Sequence, residues 1–470
     1  MSAFVEEEDE ERVDAHAPQT LGERLKLFFT FWDSRFEDLN KKTWKKTIYR
    51  DFSAGLIVAM TAIPMAMGFA IAMGMRPEQG IIAGALACAV GRTFGGSKYQ
   101  VYGPTAAFIP LIGGVIAKYG PANGGTYEHA HGFLVFVSIL SGLVLMVLGA
   151  AGLGKIAKKV PNSIVVGFTV GIAVSIAVAN LGEAFGLSVA LKGGLHRKLF
   201  TLLQHIGETN VYALGIAVFT FVVTKVLLRI SIFIPAPIIA LGAATYLSST
   251  FLPAGAVVSV RDKFGAIPTN FFVFTPPHIP PVSGRMLLDC LYYVVAIVFV
   301  SGVESLLCSS MADRLANNKK TPFNADKEFF GQGLVQIITP LVNGFPCTGA
   351  LARTATSIKA GALTPFAGYF KAGLKLLLAY FLASYLERVP MACIGGILVW
   401  VASNMIKPSE LREVAKHGKF ETAIMLFTAV LVPLTDFLTG VLSALCVYGA
   451  VHLLGQRRKR SALARAAKAT

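Results

Sequence analysis

The sequence predicts an all-α polytopic membrane protein of about fourteen transmembrane segments in a seven-plus-seven inverted repeat. Three observations predict it: the composition, a ladder of apolar runs, and two similar short segments at a near-constant offset. Of 470 residues 54% are hydrophobic and 15% charged, with a mean hydropathy of +0.61. Soluble domains carry about a quarter charged residues. A helical span needs about 20 apolar residues. Such runs recur from Phe52 to Leu454, which leaves no stretch long enough for a separate soluble domain. The acidic start, AFVEEEDEERVD, lacks the basic region and apolar core of a signal peptide.

Residues 1–50 read as a cytoplasmic segment, disordered to about residue 20. Residues 21–50 read either as one amphipathic helix or as a solvated linker. In the helical reading Phe28, Phe29, Phe31 and Trp32, with Lys41, Lys42, Lys45 and Lys46, suit a membrane surface. Residues 51–455 form the membrane domain, with repeat one over about 51–250, repeat two over about 286–455, and a basic cytoplasmic tail at 456–470. Apolar runs begin near 53, 78, 104, 132, 161, 211, 233, 286, 328, 348, 364, 390, 418 and 436, punctuated by Gly, Pro and charge. With both termini cytoplasmic, Lys155, Lys158, Lys159, Arg229, Arg314, Lys319, Lys320, the stretch Lys407 to Lys419 and the terminal basic run all fall inside. The net charge of +16 is thereby explained by topology and requires no nucleic acid, because no aromatic-interleaved basic patch gathers it. A multi-pass protein of the plasma (inner) membrane, with the lipid bilayer as its partner, is the expectation.

Two segments are too short for spans, and each has proline, then threonine, then small residues: Val101-Tyr102-Gly103-Pro104-Thr105-Ala106-Ala107 and Phe345-Pro346-Cys347-Thr348-Gly349-Ala350-Leu351. Proline suits a first helical turn, threonine can cap free N–H groups, and small residues let a ligand approach the backbone. The two lie about 243 positions apart, and Pro64-Met65 lies about 240 before Val303-Glu304, the mark of an internal repeat. Seven helices is an odd number, so the second copy is inverted. A helix starting at mid-membrane presents unsatisfied N–H groups and the positive end of its dipole, which must line a cavity or meet an anion. Ordinary helix starts are the bland alternative.

A charge near the bilayer centre costs about 2.5–3.5 kcal/mol on insertion scales and marks function. Glu304 lies on a polar helical face with Ser301, Ser305 and Cys308, and Arg353 sits one turn after Thr348, where its charge would reinforce the dipole. Glu304, Ser301 and Cys308 are the candidate ion-coupling residues, Glu304 being able to take up a proton as the anion loads; a structural Glu304–Arg353 ion pair is the alternative. Asp436 reads as a helix N-cap. The six cysteines stand singly in apolar runs, and His129 and His131 lack a completing carboxylate or cysteine, so no metal site is expected. No nucleophile with a nearby base argues for an enzyme, GGSKYQ lacks P-loop spacing, and no cofactor is implied.

The stretches IPMAMGFAIAMG, GGSKYQVYGPTAAFIP, VESLLCSSMAD, EFFGQGLVQIITPLVNGFPCTGALARTATSIKAGALTP and PMACIGGILVW resemble the sulfate permease (SulP) family of anion transporters over residues 50 to about 455. The resemblance implies a core domain moving against a gate domain in an elevator-like cycle, and a homodimer. It implies an anion site from Met65 and Phe69, Thr105 and Ala106, and Gly349, Ala350 and Arg353, beside Thr348 of the second half-helix. Sulfate is the first expectation as substrate, with bicarbonate and C4-dicarboxylates next and a chloride channel or exchanger as a further use of the fold. Many relatives have glutamine where this chain has Met65, which removes a side-chain donor. Sodium-coupled bicarbonate members have aspartate, with a hydroxyl one turn later, where this chain has Glu304 and Cys308. Sulfur is a poor sodium ligand, so H+ is the expected coupling ion over Na+. Most relatives continue into a cytoplasmic STAS domain, whereas this sequence stops about fifteen residues after its last helix.

Overall fold

A computed structural model describes residues 20–39, 42–154, 161–189, 191, 193–253, 255–435 and 437–466. Residues 1–19, Lys41, Lys155 to Lys159 and Asp436 lie outside them. The first half comprises α1 (Leu21–Phe28), α2 (Trp44–Ala72), α3 (Pro77–Phe94), β1 (Tyr102–Gly103), α4 (Ile109–Tyr119), α5 (Tyr127–Ala150), α6 (Asn162–Ala184), α7 (Leu195–Gln204), α8 (Val211–Ile230), α9 (Ala236–Phe251) and α10 (Val260–Phe264). The second comprises α11 (Gly284–Ala316), α12 (Ala325–Leu341), β2 (Thr348–Gly349), α13 (Leu351–Lys359), α14 (Phe366–Leu386), α15 (Met391–Met405), α16 (Pro408–Lys416), α17 (Lys419–Leu434) and α18 (Phe437–Ala466).

Helix starts follow from their caps. Thr126 accepts from the His129 amide at α5, Asn210 from Tyr212 and Ala213 at α8, Ser283 from Met286 at α11, and Asn324 from Lys327 at α12. Among the described residues seven stretches are long and apolar enough to cross a membrane: α2, α5, α6, α8, α11, α14 and Met391–Lys416. The other crossings are shorter or more polar for identifiable reasons. α4 and α13 are half-helices whose missing half is extended chain. α3 buries Glu78, Gln79 and Arg92, and α12 buries Lys327, Glu328, Gln332 and Gln336.

The two halves repeat: α2 to α6, α8 and α9 correspond in order to α11 to α15, α17 and α18. α5 packs along α12, and in the matching position α14 packs along α3; α6 packs on α15 and α17. A core body (α2–α5, α11–α14) thus stands against a gate body (α6, α8, α9, α15, α17, α18), touching it where α2 meets α9 and α15.

The single amphipathic helix expected over 21–50 is not what forms. α1 stops at Phe28, a 3-10 turn covers Ser34–Phe36, and a new helix starts at Trp44. The aromatics have protein partners: Phe28 stacks on Phe330 at 4.5 Å, Phe31 meets Phe94 edge-on, and Phe36 meets Phe366. Arg35 donates to the Arg92 carbonyl at 3.1 Å, Lys98 to Asp38 at 2.6 Å, and Lys327 to Asp33 at 2.7 Å. This segment is strapped across the ends of α3 and α12, because specific pairs there outweigh a generic apolar face. The His129–His131 pair, expected in a loop, sits in the first turns of α5, where His131 bonds the Gly344 carbonyl at 2.9 Å.

Candidate functional site

Two short strands cross at the centre of the core body. β1 and β2 pair antiparallel, Tyr102 opposite Gly349 and Gly103 opposite Thr348, so the two half-helices begin side by side and leave in opposite directions. The crossing needs glycine: Gly103 has φ +155°, and a Cβ there would lie 3.0 Å from Arg353 Nη1; one at Gly349 would overlap the Gln100 side chain. Further bonds fix the register, from the Ala350 amide to the Val101 carbonyl (2.9 Å) and from the Val101 amide to Thr354 Oγ1 (2.8 Å).

The threonines do not cap, contrary to expectation. Thr105 precedes the 3-10 turn Ala106–Phe108 that leads into α4, and its hydroxyl donates to Glu304 Oε2 at 2.9 Å. Thr348 lies in β2 and donates to the Ser301 carbonyl at 3.2 Å. Neither start has a side-chain cap, so the N-cap residues leave the leading N–H groups of both arms without a side-chain acceptor among the described residues.

Arg353 is buried; one Nη donates to the Pro104 carbonyl of the other arm, and Nη1 has no partner. Glu304 is partly buried, and no ion pair joins it to Arg353 among the described residues. An arginine donor without an acceptor beside two uncapped helix starts is an arrangement that an anion completes. Met65 and Phe69 lie on α2, which packs against both α4 and α13; Phe69 is buried and Met65 partly exposed. Ala106, Gly349 and Ala350 line the two starts and are buried.

Ser301 and Cys308 have other partners. Ser301 Oγ accepts from Gln336 of α12 at 2.6 Å, and Cys308 Sγ lies 3.3 Å from Thr354 Oγ1 of α13, so these side-chain hydrogen bonds run to the neighbouring helices and not to Glu304. Gln332 and Gln336 both donate to the Cys347 carbonyl, at 2.5 and 2.7 Å, which clamps the chain just before β2 and accounts for the GQG stretch. Glu328 anchors the approach to β1, accepting from Tyr102 OH, Gln100 Nε2, Ser305 Oγ and the Gly96 and Ser97 amides at 2.6–3.2 Å.

Two lysines escaped the sequence reading. Lys371 and Lys375 on α14 are fully buried. Lys371 Nζ donates to the Gly84 and Tyr102 carbonyls at 2.6 and 3.0 Å, and Lys375 Nζ to the Gly80 carbonyl at 3.2 Å. Their signal was present as KAGLK inside an apolar run, two cations one turn apart in a membrane helix.

Residues 48–428 match the profile described as the sulfate permease family. YvdB of Bacillus subtilis, named as a candidate sulfate transporter, is 34% identical over 88% of this chain and 74% of its own length. The bicarbonate transporter BicA of Picosynechococcus is 28% identical over 86% of this chain and 70% of its own. Two solved structures share the fold. The transmembrane domain of a cyanobacterial BicA gives a TM-score of 0.73 at 23% identity, covering 85% of this chain and 98% of that one. SLC26A9 gives 0.76 at 20% identity, covering 89% and 67%.

Proposed function

The chain belongs to the sulfate permease family of anion transporters, and on that premise we propose that it is a secondary active carrier of sulfate, coupled to protons, working by an elevator-type cycle. One observation carries the reading: Arg353 Nη1 is buried without a partner where the two uncapped half-helices begin. Thr105, Ala106, Gly349 and Ala350 would supply backbone donors, Arg353 the charge, and Met65 and Phe69 the apolar wall that gives the anion its shape. Thr348 holds its strand to α11 and shapes the site from behind.

Glu304 would be the coupling group. Its hydrogen bond to Thr105 ties it to the arm that receives the anion. An anion beside a carboxylate favours the protonated acid, and a protonated Glu304 favours the anion, so the two binding events reinforce each other. That linkage is symport. The core body would then carry site and proton together past the gate body, with Ser301 holding α11 to α12 and Cys308 holding it to α13.

The test is uptake of labelled sulfate, bicarbonate and succinate into proteoliposomes under imposed proton or sodium gradients. Sulfate accumulation driven by an inward proton gradient is the expected result. A strict sodium requirement with bicarbonate as the transported anion would favour the second reading, which the similarity to BicA supports. Assembly as a homodimer, with both termini in the cytoplasm of the plasma membrane's host cell, completes the proposal; mass measurement in lipid nanodiscs tests the dimer.

A further inference from the structure

Four of the cations buried within the core body have no carboxylate partner among the described residues. Arg92 donates to the Lys98 and Tyr99 carbonyls, Arg353 to Pro104, Lys371 to Gly84 and Tyr102, and Lys375 to Gly80. Three of them converge on one spot. Gly84 is the pivot: its carbonyl takes Lys371, and a Cβ on it would overlap Lys375 Nζ and lie 3.1 Å from Pro104. Gly103, whose own missing Cβ leaves room for Arg353 Nη1, packs on the Gly84 Cα. Two glycines without side chains thus let Lys371, Lys375 and Arg353 crowd against the start of the first half-helix, within electrostatic reach of one another.

The carboxylates do not balance them. Glu304 accepts from Thr105, the residue after the Pro104 whose carbonyl takes Arg353. Glu328 turns to Tyr102, Gln100, Ser305 and two backbone amides, and Asp51 to Thr364 and the Leu363 amide, and among the described residues neither forms an ion pair with Arg353, Lys371 or Lys375. With both lysines protonated, three cations against one carboxylate leave a surplus of two positive charges when Glu304 is ionised and three when it is protonated. Carbonyl acceptors satisfy an ammonium's hydrogens but not its charge, and a buried charge without a counter-ion is expensive. An anion entering the site would supply that counter-ion.

We propose that Lys371 and Lys375 set the valence of the transported anion, making the site select a doubly charged anion over a singly charged one. This rests on the anion-carrier reading above and adds to it the residues that decide among its candidate substrates. A dianion offsets two charges of that surplus and a monoanion one, so in either protonation state of Glu304 the dianion leaves less buried charge uncompensated. Lys375, with a single carbonyl acceptor, carries more of the selectivity than Lys371, which has two.

The experiment is equilibrium binding of labelled sulfate to the purified full chain in detergent, competed with chloride, bicarbonate and succinate. It is run on the wild type, Lys375→Met, Lys375→Gln and Lys371→Met, beside thermal melting in a low-anion buffer with and without sulfate. The wild type should prefer sulfate and succinate to chloride and bicarbonate. Lys375→Met should lower the sulfate-to-chloride affinity ratio tenfold or more, Lys371→Met by a smaller factor. Without sulfate, Lys375→Met should melt no lower than wild type, because it removes an uncompensated charge; with sulfate it should gain less than wild type. A merely structural lysine would show the opposite, a lower melting point and an unchanged ratio. Lys375→Gln keeps a donor for the Gly80 carbonyl and carries the same test without the charge. An unchanged ratio in both variants, or a wild type that prefers monoanions, overturns the proposal while leaving the carrier reading intact. A wild type that binds no anion overturns the carrier reading and this inference with it.

Discussion

Glu304 and Glu328 are both carboxylates of the core body, yet they occupy opposite conditions. Glu328 is fully enclosed and receives five donors, two of them backbone amides. Glu304 is partly exposed and receives one, from Thr105. A saturated carboxylate has no capacity left for a proton or a ligand, and its value lies in the loop it fixes. An unsaturated one can change its state without dismantling anything. The two arginines differ less: Arg92 donates to two loop carbonyls and Arg353 to one, and each leaves one buried N–H without a partner, Nε in Arg92 and Nη1 in Arg353. For the two carboxylates, closed hydrogen bonds fix a loop, and an open one leaves a group able to change its state.

The largest effect should therefore fall on folding and at Glu328. Glu328→Ala strands Tyr102, Gln100, Ser305 and the Gly96–Ser97 amides, with an expected loss of about 3–5 kcal/mol. Glu304→Gln should stay within about 1 kcal/mol of wild type. Thermal unfolding of the two variants in one detergent decides between them, and comparable losses would break the comparison. On transport the order reverses. Glu304→Gln should bind and exchange anion but fail to accumulate it under an inward proton gradient, read as uptake against the anion's own gradient at acidic and neutral external pH. Unchanged pH-driven accumulation removes Glu304 as the coupling site.

A smaller effect is expected at Arg353. Arg353→Ala should weaken anion binding about 10–100-fold, the range of one charge-assisted hydrogen bond of roughly 1.5–3 kcal/mol. Arg353→Lys should lose less, because it keeps the charge while giving up the fork that reaches Pro104 and the site together. Wild-type binding in both variants would make Arg353 a structural residue.

Much of this arrangement was legible in the sequence because it follows from elementary constraints. The apolar ladder marks the spans, and Pro104-Thr105 and Pro346-Cys347-Thr348 mark the half-helices, since a helix cannot begin inside hydrocarbon without special residues. Glu304 and Arg353 stood out as isolated charges. What was hidden depended on tertiary partners. Thr105 reads as a cap until Glu304 is seen to take its hydroxyl, and Phe28 reads as a membrane anchor until Phe330 is found beneath it. Lys371 and Lys375 were overlooked for another reason: lysines near the start of an apolar run resemble residues that reach out to the interface, and only Gly84 and Gly80 on α3 reveal that they point inward.

A third carboxylate, Asp33, lies between the two extremes and gives the finest test. It caps the 3-10 turn through the Arg35 amide at 3.0 Å and accepts from Arg35 Nε at 2.8 Å and Lys327 Nζ at 2.7 Å. Burial alone would raise its pKa, but the Arg35 and Lys327 bonds outweigh it and hold the carboxyl below its ordinary value. The sign follows: a depressed folded-state pKa contributes stability that is complete above the unfolded value and is lost as pH falls through the folded one. Asp33 is thus ionised, and the strap over α3 and α12 intact, across the pH range of a transport assay. Asp33→Asn should lower stability by about 1 kcal/mol and make residues 20–39 easier to cleave, as limited proteolysis would read. It should leave the pH dependence of anion accumulation where it was, because a group that does not titrate in that range cannot set it. A shifted profile in Asp33→Asn would mean that the strap bears on the moving core body, and that the proton dependence of transport does not reside at Glu304 alone.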